Sequence, residues 1–169
     1  MAENTEKRTP PIIQVRNLYK VYRVGESKVF ALNGVTFSLN RGEFCAVVGP
    51  SGSGKSTLLN MMAGLEKPSK GEIVIAGTHI ERMTERELVT FRRENVGFIF
   101  QSYNLIKTMN AVENVAMPLT FRGVPKKIRM ERARKYLKLV GLEKQMDHMA
   151  NEMSGGQQQR VGIARALVV

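Results

Sequence analysis

Residues 49–57 read Gly-Pro-Ser-Gly-Ser-Gly-Lys-Ser-Thr, which matches the G-x-x-x-x-G-K-[ST] pattern of a phosphate-binding loop. The apolar run 44–48 (Phe-Cys-Ala-Val-Val) precedes the loop and predicts a buried strand, and Leu58 and Leu59 begin a predicted helix after it. This strand-loop-helix order is the context that the motif requires. The stretch therefore predicts a site for a nucleoside triphosphate. A chance Gly- and Ser-rich turn is the alternative, and it would leave the strand, the helix and the lysine unexplained.

The residue types in the loop suit a polyphosphate. Its glycines let the backbone turn tightly, so that successive N–H groups can point at anionic oxygens. Lys55 adds a cation for the β and γ phosphates, and Ser56 offers a hydroxyl to Mg²⁺ at the positive end of the helix that follows. The predicted phosphate contacts are Gly49, Pro50, Ser51, Gly52, Ser53, Gly54, Lys55, Ser56 and Thr57.

Length and composition predict one globular domain without a membrane span. Hydrophobic residues make up 43% and charged residues 24% of the 169 residues, which is ordinary for a folded domain with a core. No apolar stretch approaches the roughly 18 residues that cross a bilayer. We expect residues 1–11, which are polar and charged, to be disordered, and the single cysteine, Cys45, to be a buried, inert thiol.

The chain is strongly basic, with a net charge of +11. Part of this charge lies in residues 126–140, where Ala133, Tyr136, Leu137 and Val140 recur at helical spacing among Lys and Arg. The pattern predicts an amphipathic helix with a basic outer face. A solvated surface is one interpretation of that face, and contact with anionic lipid headgroups or an acidic partner is another. We predict no nucleic-acid binding.

Periodicity outlines the rest of the chain. Residues 12–18 and 35–39 predict a small antiparallel sheet, 71–77 adds a second sheet signal, and the run 96–100 predicts a strand that ends at Gln101. Helices are predicted over 84–93, with Thr84 and Glu87 as a capping box, and over 111–119, 128–140 and 156–169. We interpret residues from about 102 to 155 as a mostly helical subdomain.

A second motif, Met-Ser-Gly-Gly-Gln-Gln-Gln-Arg, occupies 153–160 at a predicted helix start. A serine hydroxyl and backbone N–H groups can meet an oxyanion there, although the same residues can simply cap a helix. Together with the phosphate loop, this motif resembles the ATP-binding-cassette family, whose signature is usually Leu-Ser-Gly-Gly-Gln; Met153 stands for the leucine. The resemblance covers nearly the whole chain, and we interpret 12–169 as a partial nucleotide-binding domain.

The resemblance implies a fold, cofactors and catalytic candidates. The fold is an α/β P-loop NTPase with a RecA-like core, an antiparallel β subdomain and a helical subdomain, incomplete at the C-terminus. ATP and Mg²⁺ are the implied cofactors. Tyr22 lies where the family stacks an aromatic ring on adenine, and Gln101 lies where a glutamine reaches Mg²⁺ and the attacking water. Lys55 and Gln101 are therefore the catalytic candidates, and Ser56 and Gln101 are the metal candidates.

The resemblance also implies partners. In a head-to-tail dimer, Ser154, Gly156 and Gln157 would face the γ-phosphate bound by a second nucleotide-binding domain. Residues 96–105 and 111–115 are similar to ATPases of lipoprotein-releasing and of macrolide or antimicrobial-peptide export systems, so a separate membrane permease is expected to dock around 100–105. Such a subunit is cytoplasmic and peripheral on the inner face of the cell membrane.

The residues needed for hydrolysis are incomplete in this sequence. In the family, an apolar strand ending in Asp-Glu follows the signature helix; the aspartate orients Mg²⁺ and the glutamate polarises the attacking water. No such run exists here, and both His79 and His148 precede the signature, so neither matches the family's switch histidine. We interpret the sequence as a fragment, with a natural non-hydrolysing regulator as the alternative. We expect this chain alone to fold poorly and to hydrolyse no ATP.

Two other functions compete with a transport ATPase. A DNA-associated ATPase of the same superfamily would suit the basic charge, but such proteins separate the two motifs by long coiled coils and no heptad array intervenes here. A P-loop kinase or GTPase would leave residues 154–157 unexplained.

Overall fold

An antiparallel sheet and five α-helices make up the part of the chain that the computed structural model describes, residues 10–169. The chain divides between Leu88 and Val89 into two units, and each is described by itself. The expected disorder of residues 1–11 falls mostly on 1–9, which lie outside the described residues. No α-helix within 10–169 has both the length and the apolar character needed to cross a bilayer.

The first unit is built on a four-stranded sheet in which every pairing is antiparallel. Its strands are β1 (Ile13–Val24), β2 (Ser27–Leu39), β3 (Lys70–Ile75) and β4 (Thr78–His79), and their order is β2-β1-β3-β4. β1 and β2 join through a tight turn at Gly25, whose φ of 60° lies in the left-handed region that glycine tolerates. The predicted antiparallel sheet is confirmed, and its first two strands are longer than predicted.

Helix α1 (Lys55–Met62) belongs to the first unit, and helix α2 (Glu85–Asn95) spans the division, with residues 85–88 in the first unit and 89–95 in the second. α1 begins directly after the phosphate-binding loop and buries Leu58 and Met61. α2 is preceded by Thr84, whose N–H donates to Glu87 Oε2 over 2.7 Å, while the Glu87 N–H donates to Thr84 Oγ1 over 3.4 Å. The predicted capping box at this helix start is therefore confirmed.

The second unit is a small helical bundle. It contains α3 (Ala111–Phe121), α4 (Lys126–Leu139) and α5 (Gly155–Leu167), which confirm the three helices predicted in this part of the chain. In α4, Ala133 and Leu137 are fully buried, as the helical spacing predicts. The bundle core is formed by small and branched apolar side chains, namely Ala111, Val112, Val115, Ala116, Leu119, Ala133, Leu137, Leu142, Met153, Val161, Ala164 and Val168.

The strand predicted at residues 44–48 is wrong. This run pairs with no strand within the described residues, and Phe44 and Val48 are 102% and 90% exposed. Because a β-strand is stabilised by hydrogen bonds to a neighbouring strand, an apolar run without such a neighbour does not become one. Cys45 lies in this run and is exposed, so the expectation of a buried thiol is also wrong.

The strand predicted at residues 96–100 is wrong for the same reason. These residues have no strand partner within 10–169, and the run packs against α5 instead. A Cβ placed on Gly97 would lie 2.3 Å from the Ala166 carbonyl oxygen, so only glycine allows this close approach. The rings of Phe98 and Phe100 contact each other with centroids 4.7 Å apart.

Candidate nucleotide-binding site

The phosphate-binding loop ends in a set of unpaired backbone donors at the start of α1. The Ser53 N–H donates to the Pro50 carbonyl oxygen over 3.3 Å, which closes the turn before the helix. The first N–H groups of a helix have no partner inside the helix and point out of its N-terminus, where the helix dipole favours negative charge. Within residues 10–169, no hydrogen-bond acceptor is found for the N–H groups of Gly54, Lys55, Ser56 and Thr57.

The Lys55 side chain folds back over the same loop. Its Nζ donates to the carbonyl oxygens of Gly49 and Pro50 over 2.8 and 2.7 Å and lies 3.3 Å from Ser53 Oγ. These three acceptors are neutral, whereas phosphate oxygens are charged and make stronger hydrogen bonds with an ammonium group. The Lys55 ammonium group is therefore held at the loop by neutral acceptors, and a phosphate oxygen can replace them as its hydrogen-bond partner.

Both the backbone conformation at position 54 and the lack of space around it require a glycine there. The φ of Gly54, 88°, lies in the left-handed region, and this residue takes the N-cap position of α1. A Cβ at Gly54 would lie 2.3 Å from the Ala31 carbonyl oxygen in β2. The glycine of the sequence motif thus has a local structural reason: the loop passes directly against the sheet.

Tyr22 sits in a polar cluster beside the loop. Its hydroxyl donates to Glu66 Oε2 over 2.9 Å, and Lys20 Nζ contacts Glu66 Oε1 over 2.9 Å and lies 5.1 Å from the Tyr22 ring centre. Burial, followed by the bond to Glu66, raises the pKa of Tyr22, while a hydrogen bond with Thr57 acts in the opposite direction. Burial raises the pKa of Glu66, but the hydrogen bonds from Lys20 and Tyr22 outweigh it, so that its pKa is lowered. The structure thus brings Tyr22 together with the loop residue Thr57.

The signature motif caps α5 with its own side chains. The Ser154 N–H donates to Gln157 Oε1 over 2.8 Å, and the Gln157 N–H donates to Ser154 Oγ over 3.4 Å, which completes a capping box. Gly156 is exposed, and a Cβ there would meet no atom within 4 Å. The capping interpretation that the sequence left open therefore describes the state of Ser154 and Gln157 in this structure.

Gln101 is exposed in a turn that follows the irregular run 96–100. Within the described part of the chain, its side chain has no hydrogen-bond partner. Gln101 and the signature motif belong to the second unit, whereas Tyr22 and the phosphate-binding loop belong to the first.

Sequence reasoning missed Arg165, which holds the segment after Gln101. Arg165 is 7% exposed, and its guanidinium donates to the carbonyl oxygens of Tyr103 and Asn104 over 2.7 Å each. Both acceptor residues have positive φ angles, 59° and 46°, and the guanidinium lies 5.9 Å from the Phe100 ring centre. Burial lowers the pKa of Arg165. The position of this arginine among the apolar residues on one side of α5 was the sequence signal that could have indicated its burial.

A second buried polar residue organises the neighbouring turn. Asn114 in α3 is fully buried; its Oδ1 accepts from the Ile106 N–H over 2.8 Å, and its Nδ2 donates to the carbonyl oxygens of Ile106, Met109 and Asn110. Every polar atom of this side chain is therefore satisfied. Asn114 and Arg165 together fix the backbone between Gln101 and α3.

An apolar groove of about 590 Å³ lies within the second unit. Aliphatic and aromatic side chains from α2, α3 and the 96–100 run form most of its wall, and Arg165 and Asn104 contribute the polar part. The principal apolar residues are Val89, Val96, Phe98, Phe100, Met117 and Phe121. This groove includes Phe100 and Asn104, which belong to the segment where a permease is expected to dock.

Comparison with known sequences adds to this geometry. The model of the ABC transporter family matches residues 32–169. An uncharacterized ABC transporter ATP-binding protein of Thermotoga maritima is 48% identical over 92% of this chain and 67% of its own length. The macrolide export ATP-binding/permease protein MacB of Chlorobium phaeobacteroides is 44% identical over 94% of this chain, which corresponds to 24% of MacB.

Comparison with solved structures supports the fold. The dimeric post-hydrolysis state of the ATP-binding cassette MJ0796 bound to ADP and Pi matches with a TM-score of 0.89 and 42% identity, over 92% of this chain and 69% of that one. A second dimeric structure of MJ0796 matches with the same TM-score and 43% identity. These matches confirm the predicted P-loop NTPase with an antiparallel sheet and helices.

Proposed function

This chain belongs to the ABC transporter family as an ATP-binding part, and on that premise we propose that residues 49–57 bind the phosphates of MgATP. The family match favours transport over a DNA-associated ATPase. The observation that carries the proposal is the set of four unpaired N–H groups at the start of α1, beside the Lys55 ammonium group. Backbone donors, a helix dipole and a cation converge there, which is the chemistry that a polyphosphate needs.

Four side chains have roles in the proposed site. Lys55 exchanges its carbonyl contacts for the β and γ phosphates, and the side-chain oxygens of Ser56 and Gln101 are ligands of the kind that Mg²⁺ prefers. Both of these side chains are exposed and have no hydrogen bond within residues 10–169, which leaves them free to bind a cation. Tyr22 contacts the adenine, and its hydrogen bond with Thr57 supports a position beside the loop.

We propose that Ser154, Gly156 and Gln157 contact the γ-phosphate held by a second nucleotide-binding domain. The similarity to MJ0796, whose structures are dimeric, supports this arrangement. The exposed Gly156 leaves the backbone at the start of α5 accessible. The Ser154 hydroxyl accepts from the Gln157 N–H in this structure and keeps its own hydrogen to donate, so the Gln157 N–H is the group that has to change partner to bind an anion.

The proposed partner is a membrane permease, and the proposed location is the inner face of the membrane. The similar protein MacB is named an ATP-binding/permease protein, so its name pairs an ATP-binding part with a permease. An apolar groove with exposed Phe121 at its wall suits an apolar segment of such a partner. ATP binding between two subunits would then close the dimer, and hydrolysis would open it.

The resemblance to the family implies that a glutamate at the end of an apolar strand acts on the attacking water, and no apolar Asp-Glu run occurs in residues 1–169. We therefore propose that these 169 residues bind ATP without turnover, and that a subunit of this family that also carries such a run is an ATPase. Phosphate release at the rate of the Lys55→Ala variant is the expected result. A rate well above that variant would contradict this part of the proposal.

Titration calorimetry with MgATP tests the site. The Lys55→Ala variant should bind about 100-fold more weakly, because it loses charge-assisted hydrogen bonds worth about 1.5–3 kcal/mol. Lys28→Ala removes an equal charge from the exposed start of β2 and should bind like the wild-type chain. Equal affinities of the wild-type chain and Lys55→Ala would overturn the proposed phosphate site.

A further inference from the structure

We propose that the outer side of α4 binds an anionic lipid surface. The relevant surface is the outer strip, which we define as Ile128, Arg132, Lys135 and Leu139. These residues are spaced i, i+4, i+7 and i+11, so they follow one side of the helix, and all four are exposed. The buried residues Ala133 and Leu137 occupy the other side. The proposal does not depend on nucleotide binding.

The charge of α4 is high and largely uncompensated. The helix carries seven Lys and Arg and a single acidic residue, Glu131. Within residues 10–169, only two of these basic residues form ion pairs, Arg134 with Asp147 over 3.7 Å and Lys138 with Glu143 over 3.0 Å. The other five make no ion pair in this part of the chain: Arg129 donates to the Val124 carbonyl oxygen over 3.1 Å, and Lys126, Lys127, Arg132 and Lys135 make no hydrogen bond either. The last four charges attract an anionic surface.

The two aliphatic residues of the outer strip indicate the kind of anionic surface. Ile128 is 44% exposed and Leu139 is 70% exposed, and they lie one near each end of the helix with Arg132 and Lys135 between them. A helix that lies on a bilayer presents apolar side chains to the acyl chains and lysine or arginine to the headgroups. Binding to single-stranded nucleic acid instead uses aromatic rings for stacking, and the one aromatic residue of α4, Tyr136, packs against the bundle core.

Vesicle flotation tests this proposal by measuring the fraction of the chain that binds to vesicles at low and at moderate salt. Vesicles of phosphatidylglycerol and phosphatidylcholine in equal amounts should bind the chain, and phosphatidylcholine alone should not. The variant Arg132→Gln/Lys135→Gln should bind about 25-fold more weakly, because each basic residue near an anionic bilayer contributes about fivefold. Added salt should weaken binding of the wild-type chain.

A control variant separates the outer strip from net charge. Arg23→Gln/Lys28→Gln removes the same charge from a pair of exposed, directly opposed residues of β1 and β2 that make no ion pair within the described chain. It should change vesicle binding by less than about twofold. A loss equal to that of Arg132→Gln/Lys135→Gln would overturn the assignment to α4.

Two further variants test the lipid itself. Ile128→Ser/Leu139→Ser keeps every charge and should weaken binding roughly tenfold, because it removes the apolar contacts with acyl chains. Glu131→Gln removes the one acidic group of α4 and should strengthen binding about fivefold, a gain that misfolding would not produce. Unchanged binding of the serine variant, or tighter binding of the wild-type chain to polyglutamate or duplex DNA than to the anionic vesicles at equal salt, would overturn the proposal.

Discussion

The starts of α1 and α5 look alike in sequence but differ in structure. Both helix starts contain serine and glycine, and both are candidates for phosphate binding. At α1, the N-cap is Gly54, no side chain caps the helix, and the first turn has no acidic residue. At α5, Ser154 and Gln157 form a complete capping box. The start of α1 therefore presents free N–H donors, whereas the start of α5 already bonds one of its N–H groups to the Ser154 side chain.

The difference teaches how a helix N-terminus becomes a ligand site. A serine at the N-cap bonds the first N–H groups in the absence of a ligand, which stabilises the helix but leaves fewer donors for an anion. A glycine at the N-cap leaves those donors free. If the proposed sites bind phosphate, the α1 start has its donors free beforehand, whereas the Gln157 N–H at the α5 start has to leave Ser154 Oγ.

The largest expected effect comes from adding a methyl group at the start of α1, compared with the same change in the first turn of α5. Gly54→Ala should lower the free energy of unfolding by about 4 kcal/mol, because the left-handed φ is strained and the new Cβ meets the Ala31 carbonyl oxygen at 2.3 Å. Gly156→Ala should stay within about 0.5 kcal/mol, because a Cβ there meets nothing within 4 Å. Urea unfolding followed by circular dichroism measures both. Equal losses would remove the structural distinction between the helix starts.

The next prediction concerns the C-terminal part of α5. Arg165→Met should lower the free energy of unfolding by about 3 kcal/mol, because the carbonyl oxygens of Tyr103 and Asn104 lose their donors. Amide hydrogen exchange in residues 102–105 should speed up in this variant. Arg160→Met in the same helix is the control, since Arg160 is exposed and makes one 3.3 Å bond to Val140; its effect should be under about 1 kcal/mol. A smaller loss for Arg165→Met than for Arg160→Met would contradict the stabilising role of the Arg165 bonds to Tyr103 and Asn104.

A smaller effect is expected from the cap of α5. Ser154→Ala should cost about 1 kcal/mol of unfolding free energy, because the Gln157 N–H loses its acceptor. Ser51→Ala in the phosphate-binding loop should cost almost nothing, because Ser51 is exposed and makes no hydrogen bond within residues 10–169. Thermal unfolding compares the two variants. If Ser51→Ala were the more destabilising, the loop would carry a cap that the structure does not show.

The smallest effect distinguishes a charged cap from a neutral one. The backbone and side-chain hydrogen bonds from Thr84 lower the pKa of Glu87 below its ordinary value of 4.5, so its contribution to the α2 cap is present above that value and is lost as the pH falls through the lowered pKa. The α5 cap uses Gln157, which does not titrate. Protection factors, which correct for the intrinsic pH dependence of amide exchange, should therefore fall in acid at residues 85–88 and stay constant at 155–158. In Glu87→Gln, the α2 start should show no such fall. NMR exchange measurements at two pH values test this.

Local patterns predicted the elements whose stabilising contacts are close along the chain. The Thr84–Glu87 capping box, the inward residues Ala133 and Leu137, and the antiparallel pairing of β1 with β2 all follow from residues near each other in sequence. The runs 44–48 and 96–100 have the same apolar character but needed strand partners from elsewhere. Their composition could not reveal whether those partners are present.

Long-range contacts also decided the parts of the candidate site that sequence reasoning missed. Arg165 lies about sixty residues from the carbonyl oxygens that it holds, and Gly54 is confined by Ala31 in another element. A glycine or an arginine in the sequence signals a constraint, but the partner atom is found only in the folded chain.

The order of amino acids alone predicted the chemistry of this protein: nine loop residues and a signature motif predict phosphate binding, because glycine, lysine and serine supply donors that few other residues can. Tertiary structure decided which of those donors are available, since the N–H groups at the start of α1 are left unpaired within residues 10–169, whereas the Gln157 N–H in α5 donates to Ser154 Oγ. It also decided that Cys45 is exposed and that Arg165 is buried. Availability depends on which atoms lie within hydrogen-bonding distance, and that is a property of the packed chain rather than of any residue in it.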